Sequence, residues 1–197
     1  MEDKEIPDEI QRHDFELDTF TGEGKKLKLR PLTEQDWPLL NEWNSDQEVL
    51  YFAEGDEVEE YTPEQVKKIY RSVSENAYIF IIEYNETPIG ECWLQEMNLQ
   101  RIKKEYPEED CWRVDMMIGE KEFWGKGIGT EVIKMLVRFG FDEIGADLIF
   151  GCDVMDYNVR SLKTAKKAGF EIENKLRAEE DKKYEYKYDL KIEKSGV

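Results

Sequence analysis

A mixed α/β sheet with helices on its faces, built as a single domain, is the fold class this sequence predicts. Three observations carry that expectation. The chain has 197 residues, the size of one ordinary domain with a real core. Its periodic segments run hairpin, two helices, several consecutive strands, then strand–helix–strand–helix–strand–strand, an order suited to a sheet covered by helices. No internal repeat or low-complexity linker interrupts that run. Hydrophobic content of 40% and aromatic content of 12% exclude a disordered chain despite 38% charged residues.

Taken in order, residues 1–12 read as a charged tail and 13–193 as the domain. "FELDTF" and "KKLKLRPL" flank the turn signal "TGEGK" and predict a β-hairpin. Thr33 and Asp36 in "LTEQDWPLLNEWN" form a capping-box start, after which Trp37, Leu40 and Trp43 recur at helical spacing. In "YTPEQVKKIYRSV", Thr62 is an N-cap and Pro63 the first helical residue. "AYIFIIEYNETPIGECWLQ" reads as two strands turning around Asn85 to Pro88, and "EMNLQRIKKEYPEED" as polar and irregular. "CWRVDMMIGE" is a short strand, followed by a glycine-rich stretch, a helix from about Ile128, and the strand "ADLIFGCDVM". The helix "YNVRSLKTAKKAGF" is closed by Gly169. In "KKYEYKYDLKIE", Tyr184, Tyr186, Tyr188, Leu190 and Ile192 share one strand face, either as a binding platform or as a half-buried strand.

The net charge of −18 disfavours nucleic acid, whose phosphates would be repelled, and suits either plain solubility or a cationic partner. The acidic N-terminus lacks a signal-peptide pattern, and no apolar run approaches the ~18 residues of a membrane span. A cytoplasmic protein without a membrane partner is expected. Cys92, Cys111 and Cys152 share no metal-like spacing and read as free thiols. With His13 as the one histidine, no metal site and no Cys-His nucleophile pair is expected.

In "FWGKGIGTEVIKMLVRFGF", Gly125, Gly127 and Gly129 alternate just where a helix begins. Amides from Gly125 to Thr130 can turn inward as a nest, and the helix brings its unpaired N–H groups and positive dipole end to the same place. A pyrophosphate suits that position, with Lys126 as a positive charge at the rim. A purely structural tight turn is the alternative. The spacing is neither a Walker loop nor a dinucleotide fingerprint.

"MMIGEKEFWGKGIGTEVIKMLVRFGF" followed by "CDVMDYNVRSLKTAKKAGF" resembles the acetyl-CoA-binding half of the GNAT N-acetyltransferase superfamily. The likeness is most specific over residues 112–172. "YTPEQVKKIY", "IIEYNETPIG", "DMMIGEKEFWGKGIGT" and "WNSDQEVLYFAEGD" further resemble the aminoglycoside 6'-N-acetyltransferases. This resemblance implies a mostly antiparallel central sheet flanked by helices, and acetyl-CoA as co-substrate. It implies that Met116, Met117 and Ile118 line the pantetheine arm. Trp124, Gly125, Lys126, Gly127, Ile128, Gly129 and Thr130 would form the phosphate loop, and Asn158 would contact the cofactor.

The same resemblance assigns Asp115 to binding and deprotonating the acceptor amine. Read from the residues alone, Asp115 is instead a strand-end carboxylate, solvated or paired with Arg113 or a lysine. Glu54, Asp56, Asp115 and Asp153 are expected to meet the acceptor. Many family members carry a tyrosine in the helix before "AGF" to protonate the departing thiolate, and Ala165 stands at that position here. Tyr157 or a water is then the substitute, or no acid is needed, or catalysis is weak. The acidic runs "AEGDEVEEY" and "YPEED" suit a polycationic acceptor, an aminoglycoside or polyamine-like molecule, as well as a merely solvated face. The alternatives are an acetyltransferase for a polyamine or a protein N-terminus, and a non-catalytic acyl-CoA-binding module. A monomer or homodimer fits each of them.

Overall fold

The computed structural model describes residues 7–53, 55, 60–179 and 182–194. Eight strands form one sheet, β1 (Leu17–Phe20), β2 (Lys26–Pro31), β3 (Ala77–Tyr84), β4 (Thr87–Glu96), β5 (Cys111–Ile118), β6 (Leu148–Met155), β7 (Glu171–Arg177) and β8 (Tyr186–Glu193). Their order across the sheet is β1-β2-β3-β4-β5-β6-β8-β7, and every neighbouring pair is antiparallel except β5 with β6. The mostly antiparallel mixed sheet expected from the sequence is therefore present.

Among the described residues six α-helices accompany it: α1 (Trp37–Trp43), α2 (Gln47–Ala53), α3 (Pro63–Ser74), α4 (Gln100–Glu105), α5 (Ile128–Phe139) and α6 (Val159–Lys167). The predicted capping box at Thr33 forms, and the predicted N-cap Thr62 forms one as well. Thr33 exchanges backbone and side-chain bonds with Asp36 ahead of α1, and Thr62 does the same with Gln65 at the start of α3. Asp36 also takes a two-pronged ion pair from Arg30, at 2.7 and 3.0 Å, which ties that cap to β2.

The sheet divides the core. On one face α5 lays Val132, Leu136 and Phe139 over Phe80, Leu94, Val114 and Ile149. On the other, α1 and α3 bring Leu40, Trp43, Val66 and Tyr70 onto Ile79, Ile81 and Met117. Strand alternation on β5 follows from this division. Val114, Met116 and Ile118 belong to the α5 face, while Met117 belongs to the α1/α3 face with the odd-numbered positions. Residues 7–12, expected as tail, lie against the α1/α3 side, where Ile10 is buried and its N–H donates to Glu34.

One departure from regular pairing positions everything that follows. β5 and β6 pair only from Cys111 to Arg113 against Leu148 to Phe150, and the rest of β5 runs to Ile118 beyond that register. β6 is also bulged: its register with β8 shifts between Gly151 and Val154, and Asp153 sits at φ +56°. The two strands thus part into a slot through the sheet, linking the α5 face to the α1/α3 face.

Candidate active site

The glycine stretch forms the outer end of the site. Gly125 and Gly127 have φ of +75° and +80°, a region that side chains with a Cβ rarely adopt, and a Cβ built on either would meet nothing within 4 Å. The space beside them is open rather than filled by protein, as a ligand cradle requires. Gly127 is the N-cap of α5, so the first amides of that 12-residue helix face the same opening. Trp124 closes the loop onto β5, its indole N–H donating to the Ile118 carbonyl at 2.7 Å.

The cleft running inward from this cradle is lined by Met116, Met117, Ile118, Trp124, Gly125, Gly127, Ile128, Gly129, Thr130 and Asn158. Lys126 is not among the lining residues; its ammonium rests 5.1 Å over the Phe123 ring. The cationic wall comes instead from Arg160, Lys163 and Lys167 of α6. Sequence reasoning passed over these three, although their spacing of three and four places them on one helix face. Together with helix-terminal amides they make an anion-binding edge.

Helix α2 roofs the cleft and is fastened to the start of α6. Asn158 is the N-cap of α6: its side-chain oxygen accepts from the Ser161 N–H, and its amide donates to the Phe52 carbonyl at 2.8 Å. Tyr157 stacks on Tyr51 and donates to the Tyr51 carbonyl at 3.0 Å. The Arg160 guanidinium lies 4.1 Å from the Phe52 ring centroid and 4.0 Å from that of Trp124. Two C-terminal carbonyls of α2, which lack partners inside their own helix, are satisfied by the adjoining α6 segment.

The inner cleft continues through the slot and is lined by Val114, Asp115, Met116, Gly151, Cys152, Asp153, Ala165 and Phe170, with others. Asp115 and Asp153 are thus brought together, whereas Glu54 and Asp56 lie outside the described residues. No tyrosine lines this section among the described residues: Ala165 and Phe170 occupy the α5 side, and the Tyr157 hydroxyl points to the Tyr51 carbonyl. The thiols are poor nucleophiles. Burial pushes Cys111 up to about 11 and raises Cys152 further still.

Asp115 faces Trp93 across β4–β5, and its Oδ2 accepts from the Trp93 indole at 3.1 Å and from Arg113 Nε at 2.8 Å. Its Oδ1 accepts from Arg113 Nη2 at 2.9 Å. Burial raises the Asp115 carboxyl above its ordinary value, outweighing the opposing pull of Arg113. Behind it, Asp153 is paired with Lys187 at 2.6 Å and with Arg101 at 2.8 Å. The fully buried Asp189 accepts two bonds from Arg101, at 2.9 Å each, and one from the Asp153 N–H at 3.1 Å. Asp189 holds the left-handed Asp153 in place. Strand alternation sets Asp189 opposite the tyrosine face, and only the tertiary structure reveals the arginine that α4 carries to it.

The fold and the cleft define a mixed-sheet protein with an anion-binding cradle leading to a half-buried carboxylate, and comparison with known proteins supplies the family. The model of the acetyltransferase (GNAT) domain matches residues 26–171, so the chain belongs to that family. The aminoglycoside N(6')-acetyltransferase type 1 of Klebsiella pneumoniae is 24% identical over 155 residues, 77% of each chain. Among solved structures, an aminoglycoside acetyltransferase, AAC(6')-Ib, in complex with ribostamycin and coenzyme A superposes with a TM-score of 0.71. It is 23% identical over 85% of this chain and 93% of that one. Spermidine N-acetyltransferase of Vibrio cholerae, in complex with CoA and spermine, gives 0.68 at 19% identity over 85% of this chain and 95% of that one.

Proposed function

We propose that this protein transfers the acetyl group of acetyl-CoA to a primary amine of a polycationic small molecule, the 6'-amine of an aminoglycoside. The carrying observation is the slot between β5 and β6, which joins the open glycine cradle on one face to the Asp115 carboxylate on the other. The cradle fits a diphosphate. The amides around Gly125 to Thr130 and the Arg160–Lys163–Lys167 wall would hold it, and Met116 to Ile118 would line the arm. The names of the relatives agree with this reading, in both the donor and the class of acceptor.

The reaction needs an amine free of its extra proton, a fixed geometry, and somewhere for the proton to go. In this reading the amine reaches Asp115 from the α1/α3 face and donates one N–H to it. Its lone pair forms the C–N bond to the acetyl carbon, the C–S bond breaks with its electron pair on sulfur, and the amine proton passes to Asp115. A carboxyl raised by burial is a better proton acceptor than an exposed one. Ala165 leaves the departing thiolate without a tyrosine acid; a thiol with the ordinary value of ~8.5 leaves as thiolate and is protonated from solvent. The raised Cys111 and Cys152 thiols oppose an acyl-cysteine route and favour direct attack in a ternary complex.

The test compares aminoglycosides bearing a 6'-amine with ones bearing a 6'-hydroxyl, with spermidine alongside. Mass spectrometry of the products should show one added acetyl group only where the 6'-amine is present. Transfer to spermidine alone would replace the aminoglycoside with a polyamine, the acceptor class named for the Vibrio relative.

A further inference from the structure

The carboxylate that receives the acceptor in the reading above is already engaged by a cation of its own chain. Arg113 sits two residues before Asp115 on the same strand face and grips it with two N–H groups, at 2.8 and 2.9 Å. The guanidinium is itself held, with Nη1 donating to the Asn98 side-chain oxygen at 3.3 Å. Its side chain is only 16% exposed, while that of Asp115 is 27% exposed and lines the inner cleft. An ionised carboxylate offers about four acceptor positions, and Trp93 and Arg113 take three of them. There is room for one more N–H, but the negative charge is spoken for.

The same balance holds deeper in the site. Asp153 and Asp189 are matched by Arg101 and Lys187, so among the described residues the carboxylates and cations joined in this cluster, Asp115 and Arg113 included, number three and three. A second positive charge brought to Asp115 would have to displace Arg113 or sit beside it. Like charges at contact inside a partly desolvated cleft are strongly unfavourable.

We propose that Arg113 is a specificity-determining residue: by holding Asp115 in a two-pronged ion pair, it admits a neutral, weakly basic amine to that carboxylate and turns away a strongly basic one that arrives protonated. This rests on the assignment of Asp115 to the acceptor amine. It narrows the acceptor class. An amine flanked by ring oxygens and hydroxyls, as on an amino sugar, loses its proton more readily than the amines of an open-chain polyamine. The remaining ammonium groups of such an acceptor would then lie away from Asp115.

The experiment measures spermidine binding to the CoA-saturated protein by calorimetry, and so needs no turnover. It uses wild type, Arg113→Met, and the double variant Arg113→Met/Asp115→Asn. Removing the arginine alone leaves a bare carboxylate, and spermidine should bind at least tenfold more tightly. Removing both charges restores neutrality, and affinity should return to within threefold of wild type. Because a lone buried carboxylate destabilises, Arg113→Met is checked for folding first; the double variant, which removes both partners, decides the question if it fails. A double variant binding spermidine at least tenfold more weakly than wild type would mean that Asp115 already receives cations, overturning the proposal. So would a folded Arg113→Met that binds no more tightly. Acetylation of ribostamycin is measured separately, so a failure of the proposed reaction stays distinct from a failure of this selectivity.

Discussion

Replacing Gly127 with alanine separates a ligand cradle from a structural turn. At φ +80° a side chain costs about 1–2 kcal/mol of left-handed strain. For a chain of this length that lowers Tm by about 2–8 °C. The added Cβ meets no protein atom within 4 Å, so strain is the whole cost to the unliganded protein. With a diphosphate in the cradle, the methyl group competes for its space. Losing one backbone N–H bond to a charged oxygen costs about 1.5–3 kcal/mol, which weakens coenzyme A binding about 10- to 150-fold. Gly145 is the matched control, with φ +83°, a Cβ position equally open, and no place in the cleft lining. Scanning fluorimetry should show similar losses of Tm for Gly127→Ala and Gly145→Ala. Calorimetry should show weakened coenzyme A binding only for Gly127→Ala. Equal affinity in the two variants would refute the cradle.

Three further outcomes follow from the same geometry. Asn158→Ala removes the α6 cap and the tie to the Phe52 carbonyl, about 1 kcal/mol each, so Tm should fall by about 4–8 °C and the KM for acetyl-CoA should rise as α2 loosens. Asp189→Ala takes two bonds from Arg101, leaving it with Asp153 alone, and leaves the Asp153 N–H without its acceptor, so denaturant unfolding should register a loss of about 1.5–3 kcal/mol. His13 is packed among Phe15, Tyr78 and Phe80, and burial lowers its pKa despite the Ile79 carbonyl and Asp14. Its contribution is therefore present above the ordinary value of 6.5 and lost as pH falls through the lowered one. Wild type should lose more Tm between pH 7 and pH 5 than His13→Phe, and parallel losses would contradict this.

The parts of this protein legible in its sequence are those written in local signals. The capping box at Thr33, the N-cap at Thr62, the glycine stretch opening α5, the Asn158-led helix and the run of strands all rest on residues a few positions apart. Two short helices escaped. In α4, six residues long, no side chain caps the first turn, and α2 lies in a stretch whose acids drew attention to charge rather than to periodicity. The tyrosine stripe resolved as a partly buried strand face, with Tyr184 falling before the start of β8. What the sequence withheld about the site was pairing at a distance. Arg101 and Asp189 are 88 positions apart, yet their contact supports the bulge at Asp153. Arg113 and Asp115, two positions apart, were legible as a possible pair, but only the side-chain geometry decides between a paired and a solvated carboxylate.

Thiol release from acetyl-CoA in the presence of an aminoglycoside with a free 6'-amine, measured for wild type and Asp115→Asn, tests the proposed reaction most directly. Steady release by wild type, suppressed at least tenfold by the substitution, is the predicted result. No release from wild type with coenzyme A binding confirmed would contradict the aminoglycoside reading, and undiminished release by the variant would remove Asp115 from the chemistry.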